Sequence, residues 1–171
     1  MNDRWSKTIV VMHWLSAAFV VTLLSVGFVM VDLPADAPLR RLMGRAHALG
    51  GITLGVLTLV RLLRRIFGTD PAPIPLAPLH RKGASFIQGL LYFSLFGMAG
   101  SGLATALGSD WRSFVTGDVA TAPDLEGLLS RQVPGALAIT LIVLVVAHVG
   151  GVLVHELRHG GALRRMLPFL R

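Results

Sequence analysis

Three histidines lie inside long apolar stretches of this sequence: His13, His47 and His148. Burying an imidazole in a membrane is costly, so an ionisable residue there indicates a functional site. At about 1.5 Å per helical residue, His13 lies about 7.5 Å from the start of its stretch and His148 about 10 Å from the end of its own. A chain that crosses the membrane four times brings both to one depth. We therefore expect them to bind the iron of one haem from opposite sides.

The composition places this chain in a membrane. Of its 171 residues, 53% are hydrophobic and 15% are charged, which is too apolar for an ordinary soluble domain. There is no cysteine, which excludes disulfides, thiolate metal sites and iron–sulfur clusters. The net charge of +7 does not indicate nucleic-acid binding, because aromatic residues are not interleaved with the basic ones.

The apolar segments predict an all-α transmembrane four-helix bundle that forms a single membrane-embedded domain over residues 1–171. The predicted helices lie near 8–31, 42–64, 84–108 and 133–157. The second apolar segment is short for a bilayer, and we expect Arg45 and Arg61 to extend it by snorkelling. The basic residues predict that both termini are cytoplasmic, because that orientation puts eleven of the 16 Lys and Arg residues on the cytoplasmic side.

His47 belongs to a different depth, because it lies about 21 Å along its helix from Arg61. It would bind a second, outer haem. The facing end of the last helix offers Gln132 and Pro134 rather than an imidazole. The other axial position would then be vacant, or filled by water or by Met98. A histidine placed among lipid headgroups is the other open interpretation of this residue.

Further polar residues are candidates around these sites. His155 lies two turns after His148, about 10.5 Å away, and is a candidate for proton exchange with a bound quinone. Arg61 and Arg64 are candidates for pairing with the propionates of the inner haem. Arg41 and Arg45 are the corresponding candidates for pairing with the propionates of an outer haem.

A competing motif, H-E-x-x-H, runs from His155 to His159. In this pattern two histidines one turn apart bind zinc and the glutamate, here Glu156, acts as general base of a peptidase. Against it, the uncharged spans contain no carboxylate for a third ligand, and Gly160 and Gly161 end the helix directly. A zinc membrane peptidase is therefore kept as the remote alternative.

Taken together, these residues resemble the bacterial cytochrome b561 family. The matching features are His13-Trp14 in the first helix, His47 and Arg61 at the two ends of the second, and His148 followed by His155 in the fourth. The C-terminal run Leu-Arg-Arg-Met-Leu-Pro at 163–168 also matches. The resemblance covers nearly the whole chain.

The resemblance implies a four-helix protein of the bacterial inner membrane with two b-type haems. Such a protein passes electrons between superoxide or a partner redox protein and the ubiquinone pool. His13 and His148 match the ligands of the cytoplasmic haem, and His47 matches one ligand of the outer haem.

One position departs from the family pattern. Where the family has another histidine, about fourteen residues before His148, this chain has Pro134. Either the chain holds one haem, or His47 holds an outer haem from one side, which would leave it open to small ligands such as oxygen. The alternative function is an accessory or structural membrane subunit of a larger respiratory or photosynthetic complex with reduced haem content.

Overall fold

The computed structural model describes residues 5–68, 76, 78–124 and 129–167, without the side chains of 129–132. All regular structure in these ranges is helical, which confirms the predicted all-α fold. Six helices follow one another along the chain: α1 Lys7–Val31, α2 Pro38–Phe67, α3 Pro78–Gly108, α4 Trp111–Thr116, α5 Leu129–His159 and α6 Ala162–Met166.

Four of these helices, α1, α2, α3 and α5, are long and apolar enough to cross a membrane, as predicted. Each begins or ends beyond its apolar segment, because local signals extend it. Ser6 caps α1 by accepting a hydrogen bond from the backbone N–H of Ile9. The proline at the start of α2, Pro38, has no N–H that needs a partner. Arg64 and Arg65 in the last turn of α2 interact favourably with the helix dipole.

Four of the five hydroxyl residues buried in the described part of the bundle donate hydrogen bonds to their own helices. Ser16, Thr58, Ser101 and Thr105 are buried, and each donates a hydrogen bond to a backbone carbonyl three or four residues earlier. Lipid offers no alternative partner for a hydroxyl, so these bonds allow small polar residues to lie at helix contacts without a solvation penalty.

The bundle is closed by α1 against α2, α2 against α3, and α3 against α5. At Gly50 an added Cβ would lie 2.9 Å from Leu23 Cδ2, so glycine permits the close approach of α1 and α2. In contrast, α1 and α5 do not pack along their lengths in the described residues, and neither do α2 and α5. The space between α5 and the α1–α2 pair is therefore spanned by side chains rather than by close backbone contact.

The centre of this space is filled by an apolar cluster. Val20 of α1, Leu54 of α2 and Leu141 of α5 are buried against one another. Side chains of α1, α3 and α5 pack around them: Phe19, Leu23, Leu24, Leu91, Leu95 and Val145. We call Val20, Leu54 and Leu141 the middle layer. It separates one polar site near the N-terminal end of α1 from another near its C-terminal end.

Candidate functional site

Two imidazoles face each other across the space between α1 and α5. The ring centroids of His13 and His148 are 6.4 Å apart, and the ring planes are inclined at 60°. The indole of Trp14 lies edge-on to His13, with 5.6 Å between ring centroids. The structure therefore brings together the two histidines that the sequence analysis placed at one depth.

Arg61 of α2 joins this pair. Its Nη2 lies 3.1 Å from Nδ1 of His13, and Tyr92 of α3 lies near its guanidinium. A guanidinium only donates hydrogen bonds, so Nδ1 of His13 is the acceptor and Nε2 is left for another partner. Arg64, the second predicted propionate partner, is exposed. We call His13, Arg61 and His148 the inner layer.

The three helices around the space keep a common register. Each middle-layer residue lies seven residues from the inner-layer residue of its own helix: Val20 from His13, Leu54 from Arg61, and Leu141 from His148. Seven residues are nearly two helical turns, so residues at this spacing share a face. A further seven residues reach the opposite end of the space. These positions are Gly27, His47 and Pro134, which we call the outer layer.

The contacts of His47 agree with this register. A Cβ added at Gly27 would lie 3.3 Å from Cε1 and 3.7 Å from Nδ1 of His47, whereas Nε2 lies beyond 4 Å. The Nδ1–Cε1 edge of the ring therefore rests on α1 at Gly27. Nδ1 is buried and meets no partner at full hydrogen-bond geometry in the described part of the chain, although the backbone carbonyl of Leu23 lies near the ring. The sequence analysis missed Gly27, although its spacing of 14 residues from His13 equals that between His47 and Arg61.

Met98, considered as another ligand beside His47, does not lie in the outer layer. Its neighbour in sequence, Ala99, packs against α2, because a Cβ added at Gly55 would lie 3.6 Å from the Cβ of Ala99. Gly55 follows His47 by eight residues, which is about 12 Å along the helix. The side chain of Gln132 lies outside the described residues.

A short cover closes the outer end of the bundle. Trp111 and Val115, on α4, contact Gly44 one turn before His47. Arg41 donates to the carbonyls of Val119 and Ala120, and its guanidinium lies 5.1 Å from the ring centroid of Phe114. A second arginine, Arg45, donates to two carbonyls of the same cover, Val115 and Thr116. Both guanidinium groups are thus bound to backbone, which differs from the predicted propionate pairing.

Another cover lies over the inner layer. The indole N–H of Trp14 donates to the carbonyl of Met166 at 2.7 Å, which ties α1 to α6. The carboxylate of Glu156 accepts hydrogen bonds from the backbone N–H groups of Gly161 and Leu163 at the start of α6. Gly160 and Gly161 have φ of 70° and 85°, a left-handed conformation that favours glycine and turns the chain back.

Trp14→Phe is expected to loosen α6 without unfolding the bundle. The substitution keeps an aromatic ring beside His13 but removes the hydrogen bond to Met166, which contributes about 1 kcal/mol. Amide hydrogen exchange of residues 162–167 should therefore become roughly fivefold faster. Trp111→Phe at the other end is the matched control and should leave this exchange unchanged. Equal exchange in wild type and Trp14→Phe would contradict a role for the indole in holding α6.

The H-E-x-x-H residues do not form a zinc centre. The rings of His155 and His159 stack with centroids 5.0 Å apart, and Glu156 is engaged in capping α6 rather than pointing at a water. The described residues contain no group of three His, Cys, Asp or Glu side chains that could hold a metal ion. The peptidase alternative therefore receives no support.

Comparisons with known proteins agree with the geometry. A family model described as prokaryotic cytochrome b561 matches residues 4–169. Cytochrome b561 homolog 1 of Escherichia coli (strain K12) is 28% identical over 173 residues, which cover 97% of this chain and 98% of that protein. No solved structure matches the chain significantly. A match over nearly every residue of four membrane-spanning helices shows that the chain belongs to the prokaryotic cytochrome b561 family, whose members are membrane proteins that bind haem b and transfer electrons.

Proposed function

We propose that this protein transfers single electrons between the quinone pool and a haem b held by His13 and His148 at the cytoplasmic side of the bacterial inner membrane. The observation that carries the proposal is the proximity of these two imidazoles, one from α1 and one from α5, with 6.4 Å between their ring centroids. Haem b supplies the one-electron redox centre, and the protein contributes ligation, burial and charge.

The spacing of the two rings fits the cofactor. A metal–imidazole bond of about 2.0 Å, plus roughly 1.1 Å from the nitrogen to the ring centre, gives about 6 Å between two rings on one metal ion. The observed separation of the centroids is 6.4 Å. One turn after His148, a Cβ added at Gly151 would meet no atom within 4 Å, so the α5 backbone there leaves room for a neighbouring planar group.

Arg61 has two effects at this site. Its hydrogen bond to Nδ1 of His13 fixes the ring and leaves Nε2 as the nitrogen that can bind iron. Its charge, placed among apolar side chains, favours an anionic group nearby, and a haem propionate is such a group. The three side chains are half-buried among apolar residues, which strengthens both interactions relative to water.

We assign the quinone to the end of α5. His155 is half-buried two turns beyond His148 and stacks on the exposed His159, so a proton can pass between its ring and solvent. A reduced quinone releases protons together with electrons, and a histidine near the membrane surface can act as the general base that accepts them. The orientation with both termini in the cytoplasm follows from the distribution of basic residues.

The purified full chain in lipid nanodiscs tests the proposal. Wild-type protein should contain haem b with a low-spin, bis-imidazole spectrum, and a short-chain ubiquinol should reduce it. His155→Ala should keep that spectrum but slow reduction by quinol at least about tenfold, because proton transfer contributes to the rate. His159→Ala, which removes the exposed neighbour, should slow it less. Protein without haem, or with haem that quinol does not reduce, would overturn the proposal.

A further inference from the structure

The short helix α6 joins the ends of the two helices that carry the inner-layer histidines. From α1, the indole N–H of Trp14 donates to the carbonyl of Met166 at 2.7 Å. From α5, the carboxylate of Glu156 accepts hydrogen bonds from the backbone N–H groups of Gly161 and Leu163, the second at 2.9 Å. We call these two contacts the latches of α6. Since α1 and α5 do not pack along their lengths, α6 connects them at this end of the bundle.

The latches hold α6 with little buried surface. Of the five residues of this helix, only Ala162 is buried, and Arg164 is exposed. Trp14 is 45% exposed, and its hydrogen bond to Met166 is accessible to solvent. An exposed hydrogen bond makes only a modest net contribution to stability. A segment held in this way can open locally while the rest of the protein stays folded.

Gly160 and Gly161, between α5 and α6, have the properties of a hinge. Their φ angles of 70° and 85° lie in the left-handed region, which glycine enters and leaves at little steric cost. A Cβ added at either position would meet no atom within 4 Å, so other side chains do not enclose the turn at these points. Rotation about these two residues can therefore move α6 as a unit once the latches break.

Each latch involves the neighbour of a functional histidine. Trp14 follows His13, and its indole lies edge-on to that imidazole with 5.6 Å between ring centroids. Glu156 follows His155, the half-buried histidine to which we assigned proton exchange with quinol. A headgroup in contact with His155 and within reach of the inner layer lies at the end of the bundle that α6 crosses. Movement of α6 therefore changes the surroundings of both histidines.

We infer that α6 is a hinged lid. With both latches formed it restricts the access of a quinol headgroup to His155 and the inner layer, and it swings on Gly160 and Gly161 to admit the headgroup. The inference rests on the proposed function, because it takes quinol as the substrate. It gives the two latches control over substrate entry, a role that a fixed cap would not have.

The latches can be removed one at a time in the full chain in nanodiscs. Trp14→Phe deletes the indole N–H, and Glu156→Ala deletes the carboxylate. In each variant the amide exchange of residues 162–167 should become about fivefold faster. The second-order rate constant for reduction of the haem by a short-chain ubiquinol should rise by the same factor, because entry follows the open population of α6. Trp111→Phe and Asp118→Ala, at the other end of the bundle, are the matched controls and should leave both rates unchanged.

A cross-link tests the reverse effect. The chain contains no cysteine, so an introduced pair, Glu156→Cys with Leu163→Cys, can be joined selectively by a short bis-maleimide linker. The linked protein holds α6 against α5 and should be reduced by the ubiquinol at least about fivefold more slowly than the same double variant treated with a monofunctional maleimide.

Two results would overturn the lid and leave the proposed function intact. Exchange of the α6 amides that is no faster in either latch variant would show that the latches do not hold α6. Faster exchange with an unchanged rate constant would show that quinol enters by another route. A wild-type haem that ubiquinol does not reduce would instead overturn the proposed function and, with it, this role of α6. If Glu156→Ala does not fold, Trp14→Phe still decides.

Discussion

Replacing either His13 or His148 with alanine is expected to abolish the low-spin bis-imidazole spectrum of the inner layer. The two rings are the only imidazoles that meet in the described part of the space between α1 and α5. Removing one leaves a single ligand on the iron, so the haem becomes high-spin or is lost. Reduced-minus-oxidised absorption and electron paramagnetic resonance of the purified variants measure the change. Added imidazole should restore the low-spin signal in part, because the alanine variant leaves a cavity of the same shape.

Two histidines outside the layers are matched controls for this experiment. His80 in the first turn of α3 and His159 at the end of α5 are both exposed. Alanine at either position should leave the haem content and both spectra unchanged. Unchanged low-spin bands in His13→Ala or His148→Ala would show that another residue holds the iron, and the proposed inner site would then be wrong.

The sequence was sufficient to predict the four spans and the meeting of His13 with His148. Both depend on helical rise and on long uncharged segments, which a single chain displays directly. The shared face of the outer layer was also readable, since the spacing of 14 residues recurs on three helices, as between His47 and Arg61. What the pattern did not reveal is that Gly27 supports the ring of His47, because a glycine in a membrane helix has many possible reasons.

The arginines of α2 show where local patterns are insufficient. Arg41 and Arg45 lie at the helix end next to His47, which made them candidates for haem propionates. Their actual partners are backbone carbonyls 70 to 79 residues away along the chain, in α4 and the residues after it. Every residue has a backbone carbonyl, so the residue types do not indicate which carbonyl an arginine will bind. Only the tertiary fold decides this pairing.

The H-E-x-x-H motif has the same limitation. The spacing of His155 and His159 fits zinc, but the role of Glu156 depends on the turn at Gly160 and Gly161, which brings the start of α6 to its carboxylate. A glutamate that caps a following helix and one that activates water have the same sequence signature. The sequence analysis did not predict α6, a helix of five residues, so the capping role was not visible either.

Phe114→Ala is expected to have the largest effect on stability. Phe114 is 0% exposed, packs beside Trp111 with 5.5 Å between ring centroids, and lies under the guanidinium of Arg41. Truncating a fully buried phenylalanine costs about 3–5 kcal/mol through lost burial and the remaining cavity. The cation–π contact with Arg41 is lost as well, which contributes about 1 kcal/mol. Thermal unfolding in detergent and hydrogen exchange of residues 111–124 measure the loss.

Phe93→Ala is the matched control, because Phe93 is 70% exposed on the lipid-facing surface of α3. In detergent it should change the free energy of unfolding by less than about 0.5 kcal/mol. The α4 cover packs on Gly44 of α2, one turn before His47, so faster exchange in residues 111–124 should be accompanied by greater solvent access to the outer layer. His13 and His148 lie about 21 Å from the outer layer along their helices, so the haem spectrum of the inner layer should not change. If Phe114→Ala and Phe93→Ala unfold alike, the cover does not stabilise the outer end of the bundle.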